Sequence, residues 1–240
     1  MLKDNERLDD LQNGTYVIQR KDSFCFGVDA VLLAHFPSIK NSDRVLDMGT
    51  GCGVIPIIMS SVNEKASFTG LEIQPVIADT AKRSVEYNKL SDRIRIVEGD
   101  IKEAVTYFGA ASFSLITCNP PYMPPENGKS NENEAVAIAR HEIKVTLEEV
   151  ISTAAKLLTF GGKLCMIHRP SRLAEIFELM RKYGLEPKRL RMVHPHAEKD
   201  ATMVLVEASR GGKPYMTVES PIIIYDENGN YTCQVLDIYN

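Results

Sequence analysis

The chain reads as a doubly wound α/β protein built on a mainly parallel sheet, and two patterns in its 240 residues lead there. Apolar runs of strand length alternate with helix-period segments from Arg44 to Ala208, as in successive βαβ units. The clusters of chemistry-bearing residues fall directly after those runs, at the carboxyl ends of strands, where ligands of such sheets collect. A hydrophobic content of 44% and a charged content of 25% are ordinary for a globular chain. No apolar run approaches the ~20 residues that span a bilayer, and MLKDNERLDD is charged where a secretory leader is apolar, so a cytoplasmic protein with no membrane partner is expected.

Taken in order, GTYVIQ (14–19) is a short strand and FGVDAVLLAHF (26–36) an amphipathic helix ending before Pro37. RVLDM (44–48) leads into VIPIIMSS (54–61), SFTGLEI (67–73) into PVIADTAKRSVEYNKL (75–90), and IRIVEGD (94–100) into a short helix at IKEAVTYF (101–108). FSLITCN (113–119) runs into a Pro- and Asn-rich loop and then the helix VTLEEVISTAAKLL (145–158). GGKLCMIH (161–168) precedes RLAEIFELMRKYG (172–184), and KRLRMVH (188–194) and ATMVLVEA (201–208) close the alternation. The polar stretch 123–134 suits a substrate lid as well as a surface insertion. Beyond Gly211-Gly212, VESPIIIY and YTCQVLDIY flank DENG and suggest a terminal hairpin. The expected organisation is an N-terminal segment 1–40 covering a cofactor site, a core 41–210 and a strand-like extension 211–240.

The most informative stretch is VLDMGTGCGV (45–54), an apolar run that stops at Asp47 and opens into Gly49, Gly51 and Gly53. Glycines at alternate positions let backbone approach a bulky ligand and adopt positive φ. This spacing is not the GxGxxG of dinucleotide sites, nor is there a GxxxxGK[ST] phosphate loop. Glu72 ends the next strand, 19 residues after Gly53, where a carboxylate can accept both hydroxyls of a ribose. Asp100 ends the strand after that, within reach of an adenine amine. A nucleoside held without a phosphate-binding lysine points to S-adenosylmethionine.

The fourth strand of this series ends in Asn119-Pro120-Pro121-Tyr122. An amine conjugated to a ring or carbonyl is a poor nucleophile because its lone pair is delocalised. If the Asn119 side-chain oxygen and the Pro120 carbonyl both accept from that amine, its nitrogen pyramidalises toward a methyl donor. The prolines stiffen the constellation, and Tyr122 can stack on a planar substrate. Catalysis by Asn119, Pro120 and Tyr122 is then orientation and electrostatics, with no base needed before attack.

Five cysteines without a CxxC pair suggest neither disulfides nor zinc, and Cys52 and Cys118 have no evident base to make them nucleophiles. His194 and His196 lack the further ligands of a metal site, so no metal is expected. Charge is uneven: residues 1–155 carry −6, residues 156–216 carry +6, and the remainder −4.

These motifs resemble the class I S-adenosylmethionine-dependent methyltransferases, specifically the NPPY branch that modifies planar amines. The resemblance spans residues 24–208 and implies a Rossmann-like sheet of seven strands with the last antiparallel. It implies a cofactor site of Phe26, Asp47, Gly49, Gly51, Gly53, Glu72, Ile73, Asp100, Ile101 and Asn119, with Phe26 and Asp29 of FCFGVDAVLL over the methionine end. Within the branch, FGVDAVLLAHF, Arg140-His141-Glu142 and HPHAEKDATMVLVEASRGG are similar to bacterial adenine-N6 methyltransferases acting beside the anticodon of a valine tRNA. An RNA partner, tRNA, is thereby implied, with Pro121 and Tyr122 on the base. Arg140, Arg169, Arg189 and Arg191 are expected on phosphates, together with Arg172, Lys188, His194 and His196. Three alternatives remain. Release-factor glutamine methyltransferases share NPPY but carry a helical domain ahead of the core, and fewer than 45 residues precede Val45 here. A guanine-N2 rRNA methyltransferase and a non-catalytic RNA-binding protein of the same fold also stay open.

Overall fold

A computed structural model describes residues 2–12, 14–22, 25–120 and 145–239. Seven strands form the body of one sheet: β3 (Arg44–Met48), β4 (Ser67–Glu72), β5 (Ile94–Glu98), β6 (Phe113–Cys118), β7 (Leu158–His168), β8 (Leu185–His194) and β9 (Met203–Arg210). Their order is β8-β9-β7-β6-β3-β4-β5, and only β9 runs antiparallel to its neighbours. Two short strands, β10 (Thr217–Val218) and β11 (Ile222–Ile223), add in parallel to β8 and bring the sheet to nine.

Both faces of the sheet are covered, so its strands alternate between two apolar layers instead of between core and water. Val45 joins the layer beneath α1 (Val28–His35), α2 (Val54–Val62) and α3 (Pro75–Tyr87). Leu46 and Met48 join the layer beneath α4 (Ala104–Phe108), α5 (Leu147–Leu157) and α6 (Leu173–Lys182). α5 opens on a reciprocal cap between Thr146 and Glu149, which satisfies two backbone donors of its first turn. Among the described residues no helix is long and apolar enough to cross a membrane.

Two expectations change, and one segment without an assigned element proves structured. First, α1 is not amphipathic: Asp29 to Ala34 are all buried, because its outer side is covered by the C-terminal extension as well as by α2. Second, the charged start, to which the sequence pattern assigns no element, carries a strand. β1 (Glu6–Asp10) pairs antiparallel with β2 (Tyr16–Arg20), and this hairpin docks on α3. Ile18 N donates to Ser84 Oγ at 2.9 Å, Asn88 brackets the Tyr16 backbone, and the buried Glu6 receives two bonds from Arg83 at 2.5 and 2.7 Å.

Third, no terminal hairpin of two long strands forms. YTCQVLDIY becomes α7 (Cys233–Tyr239), because Val235, Ile238 and Tyr239 fall three and four residues apart and pack as one helical face on the α1–α2 layer. Asp226 accepts from the amides of Asn228 and Asn230 and turns the chain, and Tyr225 and Tyr231 are left as a single antiparallel bridge.

Candidate active site

β3 ends by turning its backbone toward the neighbouring strand: Gly49 N and Thr50 N both donate to Leu71 O, at 2.9 and 3.0 Å. Gly49, Gly51 and Gly53 take φ of 74°, 57° and 85°. A Cβ at Gly49 or Gly51 would meet no atom within 4 Å, and both glycines line an open cavity. Gly53 differs: it is outside the cavity wall, and a Cβ there would lie 3.4 Å from Ala81 Cβ, so it serves the approach of α2 to α3. Gly70, not singled out from sequence, sits under the loop, where a Cβ would come within 2.7–2.8 Å of the Thr50 side chain. A glycine inside an apolar strand was the available signal.

The three acids stand at three depths. Asp47 is fully enclosed beneath the loop, flanked across the sheet by Gly70 and Thr117, and Oδ1 accepts from Thr117 Oγ1 at 2.7 Å. Its Oδ2 and the Thr50 hydroxyl are buried without a hydrogen-bond partner among the described residues. Burial pushes the Asp47 pKa up to about 6, and the neighbouring Glu72 charge adds to the shift. Asp47 does not line the cavity, so it shapes the loop from below.

Glu72 does line it, with Oε2 accepting from Gly51 N at 3.0 Å and Oε1 from Gln74 N at 2.9 Å. Burial raises its pKa against the pull of those N–H groups. Asp100 caps a short helical turn by accepting from Lys102 N at 2.9 Å, and it lines the same cavity with Ile73 and Ile101.

Asn119 follows the last residue of β6, Cys118, which pairs in register with Met48, so the asparagine arrives beside the glycine loop. It lines the cavity together with Pro120, and its Nδ2 donates to Asp29 Oδ2 at 2.9 Å. Phe26, Gln19 and Arg20 close the wall from the N-terminal side; Phe26 N donates to Gln19 Oε1 at 3.0 Å, and Arg20 is paired with Asp22 at 2.7 Å. Gln19 and Arg20 carried no sequence signal, since only the docked hairpin brings them here. Burial pushes the Cys52 thiol up to about 12 and the Cys118 thiol well above its usual value, which favours the protonated form of both. Pro121, Tyr122 and Arg140 lie outside the described residues.

The basic residues of the 156–216 segment differ in their surroundings. Arg169 follows β7 at the carboxyl edge and donates to Thr202 O at 3.0 Å. Arg191 donates through Nε to Ser220 O at 2.9 Å. Arg189 departs from the phosphate-contact expectation: its guanidinium is engaged by Glu219 at 2.7 Å and Glu207 at 2.9 Å, and it stacks 4.4 Å over the Phe36 ring. Through Glu207 it is level with Cys165, short of the β7 carboxyl end, and it sits partly buried in that ion-pair network. Lys188 likewise donates to the carbonyls of residues 213–215.

With this geometry in hand, known proteins give a consistent comparison. The profile of the family described as Methyltransferase small domain matches residues 21–183. A tRNA1(Val) (adenine(37)-N6)-methyltransferase of Porphyromonas gingivalis is 31% identical over 187 residues, which cover 75% of this chain and 72% of that protein. Its namesake in Aliivibrio salmonicida is 25% identical over 201 residues, 84% of this chain and 83% of the relative. The crystal structure of a predicted O-methyltransferase from Agrobacterium tumefaciens matches with a TM-score of 0.72 at 27% identity, covering 88% of this chain and 95% of that one. Geranyl diphosphate C-methyltransferase from Streptomyces coelicolor, solved with S-adenosyl-L-homocysteine, shares the fold at 15% identity, with a TM-score of 0.57 over 75% of this chain and 78% of its own.

Proposed function

The chain belongs to the methyltransferase small domain family, and from that premise we propose that it methylates the exocyclic amine of an adenine in tRNA, beside the anticodon, using S-adenosylmethionine in the cytoplasm. The observation that carries the reading is the convergence of Asn119 and Pro120 on one cavity with Glu72, Asp100 and the glycine loop. The names of the relatives supply the adenine and the tRNA.

The residues present fit this cofactor. Gly49 and Gly51 leave open space where side chains would stand, and Glu72 and Asp100 offer carboxylate oxygens. The wall's arginine, Arg20, is already neutralised by Asp22, which suits a ligand without phosphate. Glu72 and Ile73 would hold the ribose, Asp100 and Ile101 the adenine, and Phe26 the methionine end, while Asp47 and Gly53 support the loop. S-adenosylmethionine supplies a methyl group made electrophilic by its sulfonium sulfur.

The chain's own work is on the nucleophile. The Asn119 Oδ1 and the Pro120 carbonyl accept the two N–H bonds of the adenine amine, draw its lone pair out of conjugation and aim it along the transfer direction. Tyr122 is assigned to stacking on the extruded base, an interaction worth about 1–3 kcal/mol, and Pro121 to the same substrate. After transfer the nitrogen carries one proton too many and releases it to water. We further take residues 1–40 as a cover over the cofactor, 41–210 as the catalytic core and 211–240 as an extension, with Arg140, Arg169 and Arg191 toward the RNA backbone.

Incubation with labelled S-adenosylmethionine and separate pools of unmodified tRNA, rRNA and release factor, followed by mass spectrometry of nucleosides and peptides, tests the proposal. N6-methyladenosine confined to the tRNA pool is the expected result. Methylglutamine in the release factor or N2-methylguanosine in rRNA overturns it.

A further inference from the structure

We infer that Asp29 is a positioning residue: it fixes the flip state of the Asn119 amide so that the carbonyl end, not the NH2 end, meets the target amine. The inference rests on the reading of Asn119 as the acceptor for that amine. An asparagine amide has ends of nearly equal size, one a donor of two hydrogens and one an acceptor. Presented the wrong way, its NH2 group would face the NH2 group of adenine, donor against donor, and nothing would draw the lone pair out. Something must therefore choose the orientation before substrate arrives.

A carboxylate makes that choice, because when ionised it only accepts. Asp29 Oδ2 lies 2.9 Å from Asn119 Nδ2, across 90 residues of chain, and Asp29 is only 9% exposed. Two local features hold the carboxylate there. Asp29 lies in the first turn of α1, where backbone N–H groups and the helix dipole favour a negative charge. Gly27 supplies the room: a Cβ at that position would stand 2.9 Å from Asp29 Oδ1. The Gly27-x-Asp29 pair thus has a use distinct from covering the methionine end of the cofactor. The charge of Asp29 also faces the asparagine that contacts the nitrogen on which positive charge develops.

The test compares Asn119→Ala, Asp29→Ala, Gly27→Ala, Asn119→Asp and the double variant Asp29→Asn/Asn119→Asp. Each is assayed for kcat and KM on tRNA, calorimetric affinity for S-adenosylmethionine, and melting temperature. Asp29→Ala is expected to lower kcat on the order of 100-fold while cofactor affinity changes by less than about threefold. Gly27→Ala moves the same way, more weakly. Asn119→Asp sets two carboxylates against each other and is inactive. In the double variant the amide at 29 donates to a carboxylate at 119 whose second oxygen still accepts the amine, so about a tenfold recovery over Asn119→Asp is expected. A merely structural role would lower melting temperature and cofactor affinity and give no recovery. Near-normal turnover of Asp29→Ala beside an inactive Asn119→Ala, or a double variant no better than Asn119→Asp, overturns the inference alone. Near-normal turnover of Asn119→Ala removes the parent reading and this inference with it.

Discussion

Two buried sets of carboxylates sit in the same sheet and are treated in opposite ways. In the β7–β9 half, Glu207 is 1% exposed and ion-paired to Lys163 at 2.8 Å and Arg189 at 2.9 Å. In the β3–β5 half, Asp47 and Glu72 are equally enclosed, yet their partners are a hydroxyl and backbone N–H groups, and burial raises both pKa values. A carboxylate answered by the chain's own cations belongs to the scaffold. Buried without a cation, Glu72 at the cavity keeps acceptor capacity for a ligand and Asp47 beneath the loop holds the loop's shape, each at a cost in stability.

Deleting one carboxylate from each half of the sheet should have opposite consequences. Glu207→Ala leaves Arg189 and Lys163 facing a buried gap. Because Lys163 is partly exposed and screened, the loss is about 3 kcal/mol of stability, with cofactor affinity unchanged. Urea denaturation read beside calorimetry checks it, and a variant as stable as the parent would show that the pair is not structural. Glu72→Ala should reverse the pattern: cofactor affinity falls about 10- to 100-fold as the ribose hydroxyls lose their acceptor, while the fold is retained. Unchanged affinity would remove the ribose assignment.

A third measurement separates the sets by pH. The Asp47 pKa is raised in the folded chain, from 3.8 to about 6, so folding favours the protonated form. Its contribution to stability is therefore fully present below pH 3.8 and is lost as pH rises through about 6. Relative to Asp47→Asn, the parent chain should lose on the order of 1–3 kcal/mol across that window. Denaturation midpoints of the two proteins from about pH 4 to about pH 7 provide the test; parallel curves would mean that Asp47 is solvated or paired.

Much of the site is legible in the sequence because it is local. A strand, a glycine loop and an acid at the next strand end are set by neighbours in the chain, and Gly49, Glu72, Asp100 and Asn119 converge as their spacing implies. What escapes is long-range. The docking of β1–β2 on α3 depends on Ser84, Asn88 and Arg83, and only that docking carries Gln19 to the cavity. Arg189 has the composition of a phosphate partner, but its role is decided by Glu207 and Glu219 on a neighbouring strand and the following loop. The α7 segment resembles a strand because its β-branched and aromatic content outweighs its three-to-four spacing.

The smallest expected effect concerns Arg189, among the basic residues of the same sheet. If cations at the carboxyl edge hold the RNA while those inside the sheet hold the fold, equal charge changes should have unequal results. Removing one cation from a phosphate reduces the slope of log affinity against log salt by about one unit. Neutralising Arg169 together with Lys199, an exposed residue in the loop that follows the carboxyl end of β8, should flatten the slope by about one to two units and leave the melting temperature nearly unchanged. Arg189→Gln should lower the melting temperature and leave the slope alone, since that guanidinium is already taken by two carboxylates. RNA binding measured from low to moderate salt distinguishes the two cases. A slope that responds to Arg189 and not to the edge pair would return this arginine to the RNA interface and dissolve the division between edge cations and paired ones.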